Sequence, residues 1–167
     1  MYDELTQVDI AKMQEEIDYR VRVLRPELIE EVKTARAFGD LSENFEYKAA
    51  KRDKNRNDSR IRYLERMIKT AKVISGSSVA GEIGLFDHVE LYLEEDDEIQ
   101  KIQIVTTLRQ DALKGLISKE SPIGKALMGH TVGDRVCVEV SPEYHYYVEI
   151  RGVEKGTDDA TLPISPF

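Results

Sequence analysis

The sequence predicts an α+β protein: a long N-terminal antiparallel α-helical hairpin, in effect a coiled coil, followed by a small domain built on a largely antiparallel sheet with one short helix. Three observations predict it. Apolar residues recur at helical spacing along two stretches divided at Gly39; beyond residue 79 the period changes to alternation; and the alternating runs come in pairs separated by short polar turns.

The first helical arm runs from about Val8 to Phe38, where Ile10, Met13, Ile17, Val21, Leu24, Leu28 and Ala35 follow steps of three, four or seven. Pro26 falls inside this stripe and predicts a lost hydrogen bond and a bend. After Gly39 a second stripe holds Tyr47, Ala50, the polar Lys54 and Asn57, then Ile61, Leu64, Ile68 and Ala71. Its alternating three-four spacing suits a helix packed lengthwise on a partner. Two long helices joined by a few residues must run antiparallel, and folding about Gly39-Asp40 sets Ile61 beside Ile17 or Asp18. An arm of about 30 residues spans roughly 45 Å, so the hairpin is expected to project. The expected division is residues 1–74 for the hairpin with an acidic tip at 39–46, and a "SGSS" linker at 75–78. The sheet domain follows at 79–153, and a mobile tail, without periodicity, at 154–167.

In the second half, "HVELYLEED" and "EIQKIQIVT" alternate like strands around the acidic turn Glu95-Asp96-Asp97, and "DRVCVEV" pairs with "HYYVEIRGV" around Pro142-Glu143. Between the hairpins, "SPIGKALMG" offers Ser121 as N-cap, Pro122 at the first helical position and Gly129 to close a short helix. The single cysteine, Cys137, cannot form an intramolecular disulfide; it is expected as a small core residue in a cytoplasmic protein. No apolar run approaches 18 residues, and the acidic, amphipathic start is unlike a signal peptide, so no membrane association is expected. His88, His130 and His145 have no ligand spacing, and Tyr144, Tyr146 and Tyr147 read as sheet residues. No Gly-rich phosphate loop or nucleophile–base arrangement has local support.

Charge is distributed unevenly. Residues 48–72 hold ten Lys or Arg against three acids, a net +7, so the remainder of this −8 chain carries −15. One basic stripe on an acidic protein makes a poor general nucleic-acid binder and predicts local, salt-sensitive attraction to phosphate.

Just ahead of that stripe lies "GDLSEN". Asp40 and Glu43 can cap a helix and complement its dipole. As hard oxygen donors at the end of a projecting rod they also suit Mg²⁺, which takes a few carboxylates together with waters and substrate phosphates. Two exposed acids do not complete a metal centre, which favours a catalytic auxiliary that finishes a site supplied by a partner.

"ARAFGDLSENFEYKAA" followed by "RIRYLERMIKTAKVI" resembles the coiled-coil domain of the bacterial Gre transcript-cleavage factors. "GLISKESPIGKALMGHTVGDRVCVEV" resembles their C-terminal, FKBP-like domain, and the likeness runs from about residue 5 to 150. The resemblance implies a transcription elongation factor that inserts its coiled coil into the secondary channel of RNA polymerase and stimulates Mg-dependent hydrolysis of the 3′ end of backtracked nascent RNA. It implies no enzyme in its own right. Asp40 and Glu43 are the residues it assigns to the chemistry, sharing Mg²⁺ with the polymerase rather than binding it tightly in the free protein. Arg36, Lys48, Lys51 and Arg52 are the RNA-facing basic residues, Glu120, Ser121, Pro122 and Ile123 the polymerase-docking segment, and a monomer is expected. Two departures stand out: Phe45 replaces the small alanine common in the family, and the tail continues past the family's usual end. Two rival readings are a channel-occupying regulator or inhibitor without cleavage activity, which the intact tip sequence argues against, and a structural hairpin for an unrelated partner, which periodicity alone permits.

Overall fold

The structure is a computed structural model and describes residues 3–39, 44–75 and 79–166. It is α+β, and its residues fall into two compact units, Ile10–Ala71 and Met1–Asp9 with Lys72–Phe167. The boundary thus differs from the expected one at residue 74: residues 1–9, with the first turn of the first helix, and residues 72–74 go with the sheet unit.

The helical unit holds α1 (Gln7–Tyr19, whose first turn belongs to the other unit), a π-helical turn over Arg20–Leu24, α2 (Arg25–Arg36) and α3 (Phe45–Thr70). Met13, Ile17, Leu28 and Ala35 from the first stripe, and Ala50, Ile61 and Leu64 from the second, are buried. The π turn explains how Pro26 is accommodated. It ends two positions before the proline, which sits in the first turn of α2, and the Arg25 N–H reaches back five residues to the Arg20 carbonyl. The irregularity expected at Pro26 takes the form of one wider turn.

Asn57, the polar interruption of the second stripe, is buried against that turn. Its Nδ2 donates to the Arg20 carbonyl at 3.2 Å and its Oδ1 accepts from Arg20 Nη1 at 3.0 Å. Together with Arg60 Nε donating to Glu16 at 2.7 Å, these bonds fix the antiparallel register close to the expected one. Gly39, at φ +130°, occupies a backbone region open chiefly to glycine and ends the first arm.

In the other unit, β1 (Glu4–Leu5) pairs in parallel with β2 (Lys72–Val73), a pairing between residues far apart in sequence that no local pattern announces. Thr6 and Asp9 form a reciprocal capping box at the start of α1: Thr6 N–H donates to Asp9 Oδ2 at 3.0 Å and Asp9 N–H to Thr6 Oγ1 at 3.3 Å.

The main sheet contains β3 (His88–Leu93), β4 (Glu98–Val105), β5 (Leu116–Ser118), β6 (Arg135–Ser141) and β7 (Tyr144–Glu154), in the order β5-β4-β3-β7-β6 among the described residues. Both expected hairpins are present; β5, parallel to β4, adds a strand too short to show alternation. The short helix α4 (Pro122–Leu127) contributes Leu127 to a core with Phe86, Leu91, Ile104, Val138 and Ile150. Cys137 is exposed, correcting the expectation of a core residue: Val136 and Val138 take the inward positions of β6, and alternation places Cys137 outside.

The segment after β7 adds no helix or strand through residue 166, yet it is held on this unit, unlike the mobile tail expected. Lys155 Nζ donates to Asp87 Oδ2 at 2.8 Å, Ser165 N–H donates to the Leu108 carbonyl at 2.6 Å, and Leu162 packs against the core. Arg109 gathers these pieces. Fully buried, it donates to Asp9 Oδ1 at 2.5 Å, Thr6 Oγ1 at 3.2 Å, the Asp159 carbonyl at 3.0 Å and the Asp158 carboxylate, and its guanidinium lies 5.1 Å from the centre of the Phe86 ring.

Candidate functional site: the tip and basic groove of the helical hairpin

Asp40 and Glu43 lie outside the described residues, but both flanks of the tip are described, and the second flank settles how α3 begins. Asn44 is the N-cap: its Oδ1 accepts from Tyr47 N–H at 3.0 Å, and its Nδ2 donates to the Ala35 carbonyl at 2.6 Å. One side chain therefore starts α3 and ties it to the end of α2. The cap for α3 that Asp40 was weighed as supplying comes from Asn44.

On α3, Lys48, Lys51, Arg52, Asn55, Arg56 and Ser59 line an open depression of about 500 Å³. Three of the four basic residues singled out for RNA are thus brought together. Arg36 is not among them: it donates to Tyr47 Oη at 3.4 Å and lies 5.5 Å from the centre of that ring, which draws the Tyr47 phenol below its ordinary range. Arg56, Asn55 and Ser59 join the set, and helical spacing could have found them; charge counting alone passes over the neutral pair.

Folding neutralises part of the basic stripe. Arg60 and Arg20 pair with Glu16, and Lys54 and Arg25 pair with Asp58 at 3.1 and 3.3 Å. Burial is the largest influence on each acid and pushes its pKa up, but the hydrogen bonds and charges of these cations outweigh it, leaving both below the ordinary carboxylate range. Along the open depression, among the described residues, Lys51, Arg52 and Arg56 have no carboxylate partner, and Lys48 meets only the Phe45 ring, at 5.7 Å. A separate depression lined by Glu27, Glu30, Glu31, Thr34, Phe38 and Glu46 makes another part of the hairpin acidic.

The four residues of the expected docking segment lie together but do different things. Glu120 and Pro122 are exposed; Glu120 pairs with Lys119 at 3.0 Å, and Lys119 also meets Glu4. Ser121 caps α4, its Oγ accepting from Gly124 N–H at 3.1 Å, and Ile123 packs half-buried on the core. Gly124 is dictated by proximity: a Cβ there would collide with the backbone of Ser118. Among the described residues no group of three or more His, Cys, Asp or Glu is placed to hold a metal ion, and none of their helices is long and apolar enough to cross a membrane. The donor set at 40 and 43, two carboxylates, fits a Mg²⁺ ion whose remaining ligands come from elsewhere.

A capped helical hairpin with an open basic groove on α3, together with a five-stranded sheet unit, defines an α+β protein built of a hairpin unit and a sheet unit. Known proteins place the chain more closely. Residues 4–73 match the family "Transcription elongation factor, N-terminal" and residues 78–155 match "Transcription elongation factor, GreA/GreB, C-term". The transcription elongation factor GreA of Thermoanaerobacter pseudethanolicus is 44% identical over 137 residues, 81% of this chain and 87% of that protein. The same factor of Caldanaerobacter subterraneus is 42% identical over 137 residues, again 81% and 87% of the two chains. The GreA factor homolog 1 of Thermus thermophilus, a solved structure, is 26% identical, with 93% of this chain and 100% of that one covered at a TM-score of 0.42. The chain belongs to the GreA/GreB family of transcription elongation factors.

Proposed function

We propose that this elongation factor inserts the tip of its hairpin into the secondary channel of RNA polymerase and stimulates the polymerase's own hydrolysis of the 3′ end of backtracked nascent RNA, rescuing arrested complexes. Asp40 and Glu43 contribute carboxylate oxygens to a Mg²⁺ site completed by polymerase residues. Bound there, Mg²⁺ supplies charge neutralisation at the phosphodiester and a more acidic attacking water. The chain's own part is positioning. The two carboxylates orient what they hold, and Lys48, Lys51 and Arg52 neutralise RNA phosphates as the strand lies along α3. The exposed Glu120 and Pro122, on the segment shaped by Ser121 and Ile123, meet the rim of the channel. The protein acts as a monomer in the bacterial cytoplasm and is not an enzyme when alone.

The observation that carries this reading lies at the start of α3. Asn44 supplies the side-chain cap, so capping that helix does not call for the acids at 40 and 43, and Lys48, Lys51, Arg52 and Arg56 line an open depression without carboxylate partners among the described residues.

The test uses stalled, backtracked elongation complexes with Mg²⁺. Short 3′ fragments are expected on adding the protein. Asp40→Ala or Glu43→Ala should slow their release at least about tenfold, the typical cost of disturbing a metal's support, while polymerase binding persists. Wild-type rates from both variants would remove the metal-holding role. Binding with inhibition and no fragments would make the protein a channel-occupying regulator, and absence of polymerase binding would end both readings.

A further inference from the structure

Among the described residues of the hairpin, Phe45 is the most exposed large apolar side chain, at 80%, and Phe38, the last aromatic of the first arm, is 71% exposed. A single exposed phenylalanine is ordinary; the position of this one is not. Phe45 is the first residue of α3, and Phe45, Lys48, Arg52, Asn55 and Ser59 recur at steps of three and four, which puts them along one face. The last four of these line the basic depression, and Lys48 Nζ lies 5.7 Å from the centre of the Phe45 ring. An aromatic face therefore stands at the tip end of an open, unneutralised groove that extends about 21 Å from Phe45 to Ser59.

We infer that Phe45 is a substrate-positioning residue whose ring stacks on an unpaired base of the RNA while Lys48, Arg52 and Arg56 take the adjoining phosphates. The surroundings select this occupant. The ring's neighbour on its own face is a cation rather than an apolar group, which favours a polyanion with flat aromatic faces over an apolar peptide. Any base qualifies, because stacking needs only a π face. The inference rests on the proposed role at backtracked RNA and adds to it a contact that aligns the strand before the carboxylates act.

The experiment places 2-aminopurine in the extruded 3′ segment of a backtracked complex and compares wild type, Phe45→Leu and Phe45→Tyr. Circular dichroism confirms that the variants keep their helix content. Wild type and Phe45→Tyr should quench the fluorescence, and Phe45→Leu should not. At subsaturating protein, Phe45→Leu should slow cleavage about fivefold or more, in the range typical of a lost base–aromatic stack. Replacing the stacked nucleotide by an abasic one should bring wild type and Phe45→Leu to the same rate. Equal cleavage by Phe45→Leu and wild type on intact RNA would overturn the inference. So would a loss that persists with abasic RNA, which would mean that the ring touches polymerase instead. The functional reading fails differently: wild type then yields no fragments, while quenching that depends on Phe45 still reports the stack and its absence rejects it.

Discussion

Arg109 ties together distant parts of the sheet unit, and a buried guanidinium is tolerated only when its donors are used. Its fork reaches Asp9, Thr6, Asp158 and the Asp159 carbonyl, joining the first turn of α1, the loop after β4 and the C-terminal segment. Arg109→Met leaves Asp9 buried and unpaired, and should cost about 3–5 kcal/mol, the usual penalty for breaking a buried pair from one side. Urea unfolding measures this, and Arg109→Lys should recover little, since an ammonium cannot reproduce the planar fork. Adding Asp9→Asn to Arg109→Met should restore part of the loss by removing the stranded charge. Nothing local in "TTLRQD" marks this arginine as buried. Asp9 and Asp158 are 100 and 49 residues away in the chain, and the same distance hid the anchoring of the segment after β7.

At the scale of elements, α3 begins where Asn44 says it does. Asn44→Ala removes both the cap and the tie to Ala35, and should cost about 1 kcal/mol, seen as faster amide exchange in the first turn of α3. The hairpin contributes to the pH dependence through Glu16. Glu16 is held below its ordinary pKa, so the unfolded chain takes up its proton at a higher pH than the folded chain. The stabilisation it gives is therefore complete above about pH 4.5 and is lost as acid titrates the folded carboxylate. Thermal melts of Glu16→Gln should be less stable near neutrality and flatter across that acid range. The helices, both β-hairpins and the Ser121 cap are legible in the sequence because period and capping are local properties. The cap of α3 is less so, since Asp40, Ser42 and Asn44 all carry suitable oxygens within five positions and only the fold selects one. The strand around Cys137 misleads for a related reason: "RVCVEV" has apolar residues in both phases, and a slip of one position exchanges inside for outside.

For the whole molecule, a net charge of −8 coexists with a patch of unpaired cations, so folding sharpens an asymmetry already present in the chain. Pairing within the hairpin uses up Arg20, Arg25, Lys54 and Arg60, and leaves Lys48, Lys51, Arg52 and Arg56 together along one open depression. Affinity for a complex carrying extruded RNA should fall with added salt. Each of Lys48→Gln, Arg52→Gln and Arg56→Gln should lower the slope of log affinity against log salt by about 0.7, the value for one single-strand phosphate contact. Polymerase without RNA should show no such change. The candidate site was visible in the sequence as residue types, while its partition into paired and unpaired cations was not, because the neutralising acids come from the opposite arm or a neighbouring turn. The cap at Asn44 also has a genetic consequence. Since α3 takes its start from that residue, single substitutions at 40 or 43 should spare the hairpin's fold. Under the proposed function, such an allele would encode a competitor for the same polymerase, and in a cell that also makes the intact factor it should act as a dominant poison instead of a silent loss.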